Sequence, residues 1–182
     1  MATTVNINIQ WIEWEKGNTW VKHIVPQLDE IGMKEEQLDR CVYIIRAHGS
    51  FAIRYPKGIS PTIYIGEGNF KNRIIQHKNW LSGLTDLVGE FPISIGVCAP
   101  RVRNNFSAYK DLEAALLIEF KSLYGCAPLK NKQMETRKCD YDYQPKEEIR
   151  NAIMIGRGVR YYWAIEPMRS NNFYDDYFKT CD

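Results

Sequence analysis

Two short runs rich in β-branched and aromatic residues, Cys41–Ala47 and Thr62–Gly66, are followed directly by a segment with helical periodicity, and no other stretch constrains the fold as much. Both runs have the composition of strands. Between them His48–Ser60 holds Gly49, Pro56 and Gly58, a turn-rich connection, so the two runs are expected to pair as an antiparallel hairpin. Asn69 then stands as an N-cap. Phe70, Ile74, His77 and Leu81 recur at i, i+4, i+7 and i+11, which gives a helix one inward face.

A third strand is predicted at Phe91–Val97, entered through Pro92. Ser107–Leu123 lacks Gly and Pro and is rich in Leu, Ala, Glu and Lys, so it reads as a long helix that ends near Gly125 and Pro128. The order strand, strand, helix, strand, helix predicts an α/β chain of the α+β type, with a small three-stranded antiparallel sheet flanked by helices. The flanks are less patterned. Val5–Ile9 alternates like a short strand, and Val21–Ile31 and Lys34–Arg40 look like weak helical segments interrupted by Pro26 and Gly32. In the tail, Ala152–Ile155 is apolar and Val159–Ile165 is a low-contrast strand candidate.

The chain has 182 residues, 45% of them hydrophobic, with no repeat or long linker, so one domain over 1–182 is expected and a disordered or fibrous chain is excluded. Five cysteines, odd in number and without a C-x-x-C pair, point to a reducing compartment. Neither a secretion signal nor an apolar run long enough for a membrane span is visible, and the expected location is cytoplasmic. The net charge of +2 is uneven along the chain. Residues 41–81 carry 6 basic and 1 acidic side chains and residues 100–140 carry 8 and 5, whereas residues 1–40 carry 4 and 7. Two basic blocks therefore lie inside the patterned middle, which suits a polyanionic partner.

Several polar residues do not fit a bland core. On the long helix Leu112, Leu116, Phe120 and Leu123 share an arc that includes Glu119, while Glu113 falls at its edge. A carboxylate turned inward needs a cationic partner, a proton or a metal ion. Arg73 and His77 are one turn apart on the first helix, and Tyr43 and Tyr64 lie on the strands beneath.

These residues carry a resemblance. Cys41-Val42-Tyr43-Ile44-Ile45, then Thr62-Ile63-Tyr64-Ile65-Gly66, then Asn69-Phe70-Lys71-Asn72-Arg73 with His77, followed by Glu119, Pro128 and Asn131, resemble the signature of the GIY-YIG nuclease superfamily. Cys41 stands where the first motif opens with Gly. The His at position 77 looks more like the restriction and homing branches than the excision-repair branch. The resemblance spans residues 41–131 as a GIY-YIG nuclease core, with 1–40 as an N-terminal and 132–182 as a C-terminal extension.

The resemblance implies a divalent-metal-dependent endonuclease that hydrolyses phosphodiester bonds of double-stranded DNA, sequence-specific in the restriction manner. It implies Tyr43 in water activation with His77 or Tyr64 assisting, Arg73 on the scissile phosphate, Glu119 holding Mg²⁺ (with Mn²⁺ as substitute) and Asn131 as a brace. The basic blocks suggest DNA contacts from Arg46, Arg54, Lys57, Lys71, Lys78, Arg101, Arg103 and Lys130. Cutting both strands with one site per chain suggests a homodimer. Two other readings compete: a phage, homing or repair nuclease of low sequence specificity, and an inactive DNA-binding module.

Overall fold

The computed structural model describes residues 3–47, 52–88 and 93–155. Its strands are β1 (Thr3–Asn6), β2 (Gln10–Trp14), β3 (Cys41–Ala47), β4 (Ile53–Tyr55), β5 (Gly58–Ser60), β6 (Thr62–Gly68), β7 (Ile93–Cys98) and β8 (Tyr141–Gln144). The helices are α1 (Val25–Glu30), α2 (Phe70–Val88), α3 (Ala108–Tyr124) and α4 (Lys146–Ile153), and a π-helical turn at Trp20–Ile24 leads into α1.

The chain is mixed α and β, and its central sheet is antiparallel in the order β2-β7-β3-β6. The predicted hairpin forms: β3 and β6 pair with Tyr43 opposite Gly66. The sheet has four strands rather than the expected three, because Gln10–Trp14 adds to the outer edge of β7. This pairing joins segments some 85 residues apart, so local pattern does not reveal it. The first 40 residues are consequently part of the core and not a decoration, and Ile12 and Trp14 are both buried. The alternation at Val5–Ile9 is real, but only Val5 and Asn6 belong to a strand, the end of β1. β1 pairs in parallel with β8, so the beginning of the chain also ties down part of the C-terminal extension. Of the two tail segments, Ala152 and Ile153 end α4 instead of forming a strand, and Val159–Ile165 lies outside the described residues, as do His48–Phe51 and Phe91–Pro92.

Strand alternation sends β3 side chains to two cores. Cys41, Tyr43 and Ile45 pack with Phe70, Ile74 and Leu81 of α2 and with α1, while Val42 and Ile44 pack with Leu112, Leu116 and Phe120 of α3. Helices thus cover both faces. Cys41 sits within the strand with its side chain fully buried; its thiol donates to the Gly68 carbonyl at 3.5 Å, and burial pushes its pKa to about 12. α2 begins as the sequence suggests, with Asn69 Oδ1 accepting from the Asn72 N–H at 2.9 Å, and Gly125 (φ +85°) closes α3. Pro26 sits in the first turn of α1, where its missing N–H costs nothing.

Candidate active site

β6 is an edge strand of the central sheet, so side chains from helices on opposite faces can meet around it. The site assembles there. Tyr43 projects from β3 onto the α2 face, opposite Gly66, and both tyrosine rings fill the space a side chain at Gly66 would need. A Cβ on Gly66 would lie 2.7 Å from the Tyr43 hydroxyl and would also collide with the Tyr64 ring. The close approach of two strands and two rings therefore requires glycine at this position. The Tyr43 and Tyr64 ring centroids are 5.8 Å apart.

From α2, His77 meets both rings. Its Nε2 lies 2.9 Å from the Tyr43 hydroxyl, and its ring centroid is 4.7 Å from that of Tyr64. The Trp80 indole N–H, one turn further along α2, donates to His77 Nδ1 at 2.9 Å. Burial, followed by the charge of Arg73, lowers the His77 pKa to about 4, so the imidazole is neutral at physiological pH. Tyr43 is fully buried, and burial raises its phenol well above the usual tyrosine range. Tyr64 is only partly buried. Its phenol is also raised, first by burial and in part by the negative charge of Glu113 and Glu67, while Tyr43 and Arg73 pull it down.

Arg73 is exposed on the first turn of α2, and its Nε lies 3.8 Å from where a side chain on Gly68 would begin. Its charge acts on Tyr43, Tyr64, His77 and Glu113 together, so all four lie within its electrostatic reach.

The carboxylate at this site is Glu113 and not Glu119. Burial raises the Glu113 pKa to about 7, with further contributions from Glu67 and Glu135, opposed by Arg73 and Lys110. Among the described residues it makes no hydrogen bond or ion pair. Glu119 is bonded to Arg150 Nε at 2.8 Å, in a cleft of about 560 Å³ between α3, β8 and α4. Six residues on a helix turn the side chain by about 120° and move it about 9 Å along the axis, so one carboxylate cannot stand in for the other. The expectation that Glu119 faces the core is therefore corrected: Arg150, from the C-terminal extension, supplies the cation that a half-buried carboxylate needs.

Asn131 joins the site through the backbone. Its Oδ1 accepts from the Ile65 N–H at 3.0 Å and its Nδ2 donates to the Ile65 carbonyl at 2.7 Å, while the Lys130 N–H donates to the Ile63 carbonyl at 3.0 Å. The 128–131 segment thus satisfies the outward backbone groups of edge strand β6 and fixes the height of Tyr64. Lys130 also sets its ammonium 5.3 Å from the centre of the Trp80 ring.

The basic candidates divide. Lys71, Lys78, Arg101 and Arg103 are exposed, and Lys71 pairs with Glu35 at 3.8 Å. Arg46 is held by the Asn151 and Met154 carbonyls at 3.3 and 3.0 Å and stacks on Trp11, so it anchors the end of α4. Arg54 is half-buried on β4, and Lys57 lies at the β4–β5 turn, where its N–H donates to the Tyr124 carbonyl.

Three contributors escape the motif reading. Glu113 lies at i, i+4, i+7 and i+11 with Leu117, Phe120 and Tyr124, all buried, and that arc marks it in the sequence. Glu67 directly follows Gly66. Asp111, almost fully buried, accepts from the Arg137 guanidinium at 2.9 Å, the Lys138 and Cys139 N–H groups at 3.0 Å and the Tyr143 hydroxyl at 2.9 Å, and so pins residues 137–143 against α3. Among the described residues no three His, Cys, Asp or Glu side chains form a closed ligand set; the site offers hard oxygens from Glu113 with Glu67 nearby. Comparison with protein-family models, with curated proteins and with solved structures yields no match for this chain.

Proposed function

We propose that the protein is a Mg²⁺-dependent endonuclease of the GIY-YIG kind that hydrolyses double-stranded DNA, with Tyr64, Tyr43, His77, Arg73 and Glu113 as its machinery and Asn131 as its brace. The observation that carries this reading is the contact of Tyr43 with His77 at 2.9 Å, beside a guanidinium whose charge acts on both tyrosines and on Glu113.

Phosphodiester hydrolysis builds negative charge on the phosphate oxygens as water attacks. Arg73, exposed and without an ion-pair partner among the described residues, is free to meet that charge. Tyr64 is the phenol at the mouth of the cluster; in this reading it releases its own proton to solvent, and its phenolate oxygen then orients the attacking water and takes its proton, while buried Tyr43 acts behind it. Burial raises the Tyr64 phenol above its ordinary value, and Arg73 with the Tyr43 hydroxyl works against that rise and favours the deprotonated form.

Glu113 fits a divalent ion. Its carboxylate is desolvated, crowded by Glu67 and Glu135 and unpaired, and a hard cation with retained waters relieves all three conditions. When bound, Mg²⁺ supplies Lewis-acid neutralisation of the phosphate, and Mn²⁺ is the natural substitute. In this reading the exposed Lys71, Lys78 and Lys130 hold the DNA backbone. Sequence-specific, restriction-type cutting by a homodimer, in the cytoplasm, belongs to the same proposal.

The test is incubation of the purified protein with plasmid DNA and Mg²⁺, followed by mapping of the ends. Cleavage that stops with a chelator and recurs at one short sequence is the expected result. Chelator-sensitive cuts at scattered positions would retain the nuclease and reject the restriction role, and intact plasmid under all metal conditions would reject the nuclease.

A further inference from the structure

An indole N–H can only donate. Because Trp80 Nε1 lies 2.9 Å from His77 Nδ1, that nitrogen must present a lone pair, and the single proton of the neutral imidazole must sit on Nε2. Nε2 lies 2.9 Å from the Tyr43 hydroxyl, so His77 donates to the Tyr43 oxygen. The Tyr43 proton cannot then point back at the ring. The neighbouring phenol, Tyr64, with its ring centroid 5.8 Å from that of Tyr43, is the acceptor to which it can turn.

We propose that Trp80 is a positioning residue: by fixing the tautomer of His77 it makes Trp80, His77, Tyr43 and Tyr64 a one-way chain of donors that ends on the Tyr64 oxygen. This rests on the nuclease reading for its catalytic meaning. Each donor in such a chain polarises the next, so negative charge on the last oxygen is stabilised from behind. The same geometry denies His77 the role of a base toward Tyr43, since Nε2 already carries a proton and Nδ1 is blocked by the indole. Protonating Nδ1 would set two N–H groups against each other. The indole is itself well held, with its centroid 5.5 Å from that of His77 and 6.4 Å from that of Tyr64, and with the Lys130 ammonium over its face.

The first measurement needs no DNA. Long-range ¹H–¹⁵N correlation spectra of the full chain at neutral pH are expected to show His77 with a bare Nδ1 and a protonated Nε2. Trp80→Phe keeps a ring but loses the donor, and it is expected to give the other tautomer or an exchanging mixture. A protonated Nδ1 in the wild-type chain would overturn the proposal whether or not the protein cuts DNA.

The second measurement is single-turnover cleavage. Trp80→Phe is expected to slow the chemical step about tenfold, the scale of one neutral hydrogen bond, with KM for DNA unchanged. His77→Gln, which retains an N–H donor, is expected to cleave faster than His77→Leu, which has none. Equal rates for wild type and Trp80→Phe, or equal losses for the two His77 variants, would overturn the proposal. Complete absence of cleavage in the wild type would instead count against the nuclease reading, and the spectra would still decide the tautomer.

Discussion

The Tyr43 hydroxyl and His77 Nε2 stand 2.9 Å apart although 34 residues separate them in the chain, and the contact locks the face of β3 to that of α2. Tyr43 can sit there only because Gly66, its cross-strand partner, has no side chain. Gly66→Ala is therefore expected to push the phenol off the imidazole. The overpacking should destabilise the fold by about 1–3 kcal/mol, read by urea denaturation. Cleavage should fall further than stability alone explains, as measured under conditions where the variant is still folded.

Glu113 makes stability depend on pH in an unusual direction. Its folded pKa, about 7, is raised from an ordinary value of 4.5 by burial and by Glu67 and Glu135. The favourable contribution of the neutral carboxyl is thus complete below about 4.5 and is lost as pH rises through about 7. In metal-free buffer, Glu113→Gln is expected to match wild type near pH 5 and to melt at a higher temperature at pH 8. Melting curves against pH check this, and a wild-type chain as stable as the variant at pH 8 would contradict it.

Asp111 behaves in the opposite sense. Burial works to raise its pKa, but Arg137, the Cys139 and Lys138 N–H groups and Tyr143 together hold it below the ordinary value of 3.8. Its stabilisation is present above that value and disappears on acidification. Asp111→Ala leaves the Tyr143 hydroxyl and the Arg137 guanidinium without their acceptor, and is expected to cost about 3 kcal/mol or more in chemical denaturation at pH 7.

Two arginines of the first basic block should separate cleanly. Arg73→Ala is expected to lower the single-turnover cleavage rate by about 10²–10³ with little change in stability, because the side chain is exposed and its charge is aimed at the site. Arg46→Ala removes two bonds to the end of α4, so the melting temperature should fall while cleavage at permissive temperature is retained.

Features set by neighbours in sequence were legible, and those set by distant packing were not. The β3–β6 hairpin, the Asn69 cap, the inward face of α2 and the end of α3 at Gly125 all follow from period and turn chemistry. The fourth strand depends on the pairing of Trp11 with Gly96, and the parallel β1–β8 pair on contacts across almost the whole described chain. The misplaced carboxylate has a specific cause. α3 is covered by the sheet on one side and by β8 and α4 on others, so Ala114, Leu117 and Tyr124 are buried along with Leu112, Leu116 and Phe120. A helix buried this widely has no single stripe, and Glu113 and Glu119 lie toward different margins of it. The partner that explains Glu119, Arg150, comes from a segment that the helix pattern does not mention.

The most direct test of the account compares Glu113→Gln with Glu119→Gln in single-turnover cleavage of duplex DNA at saturating Mg²⁺. The account expects Glu113→Gln to be inactive while Glu119→Gln, which loses only the charge of its pair with Arg150, cuts within about threefold of wild type. A Glu113→Gln variant that cleaves at the wild-type rate while Glu119→Gln is inactive would contradict it.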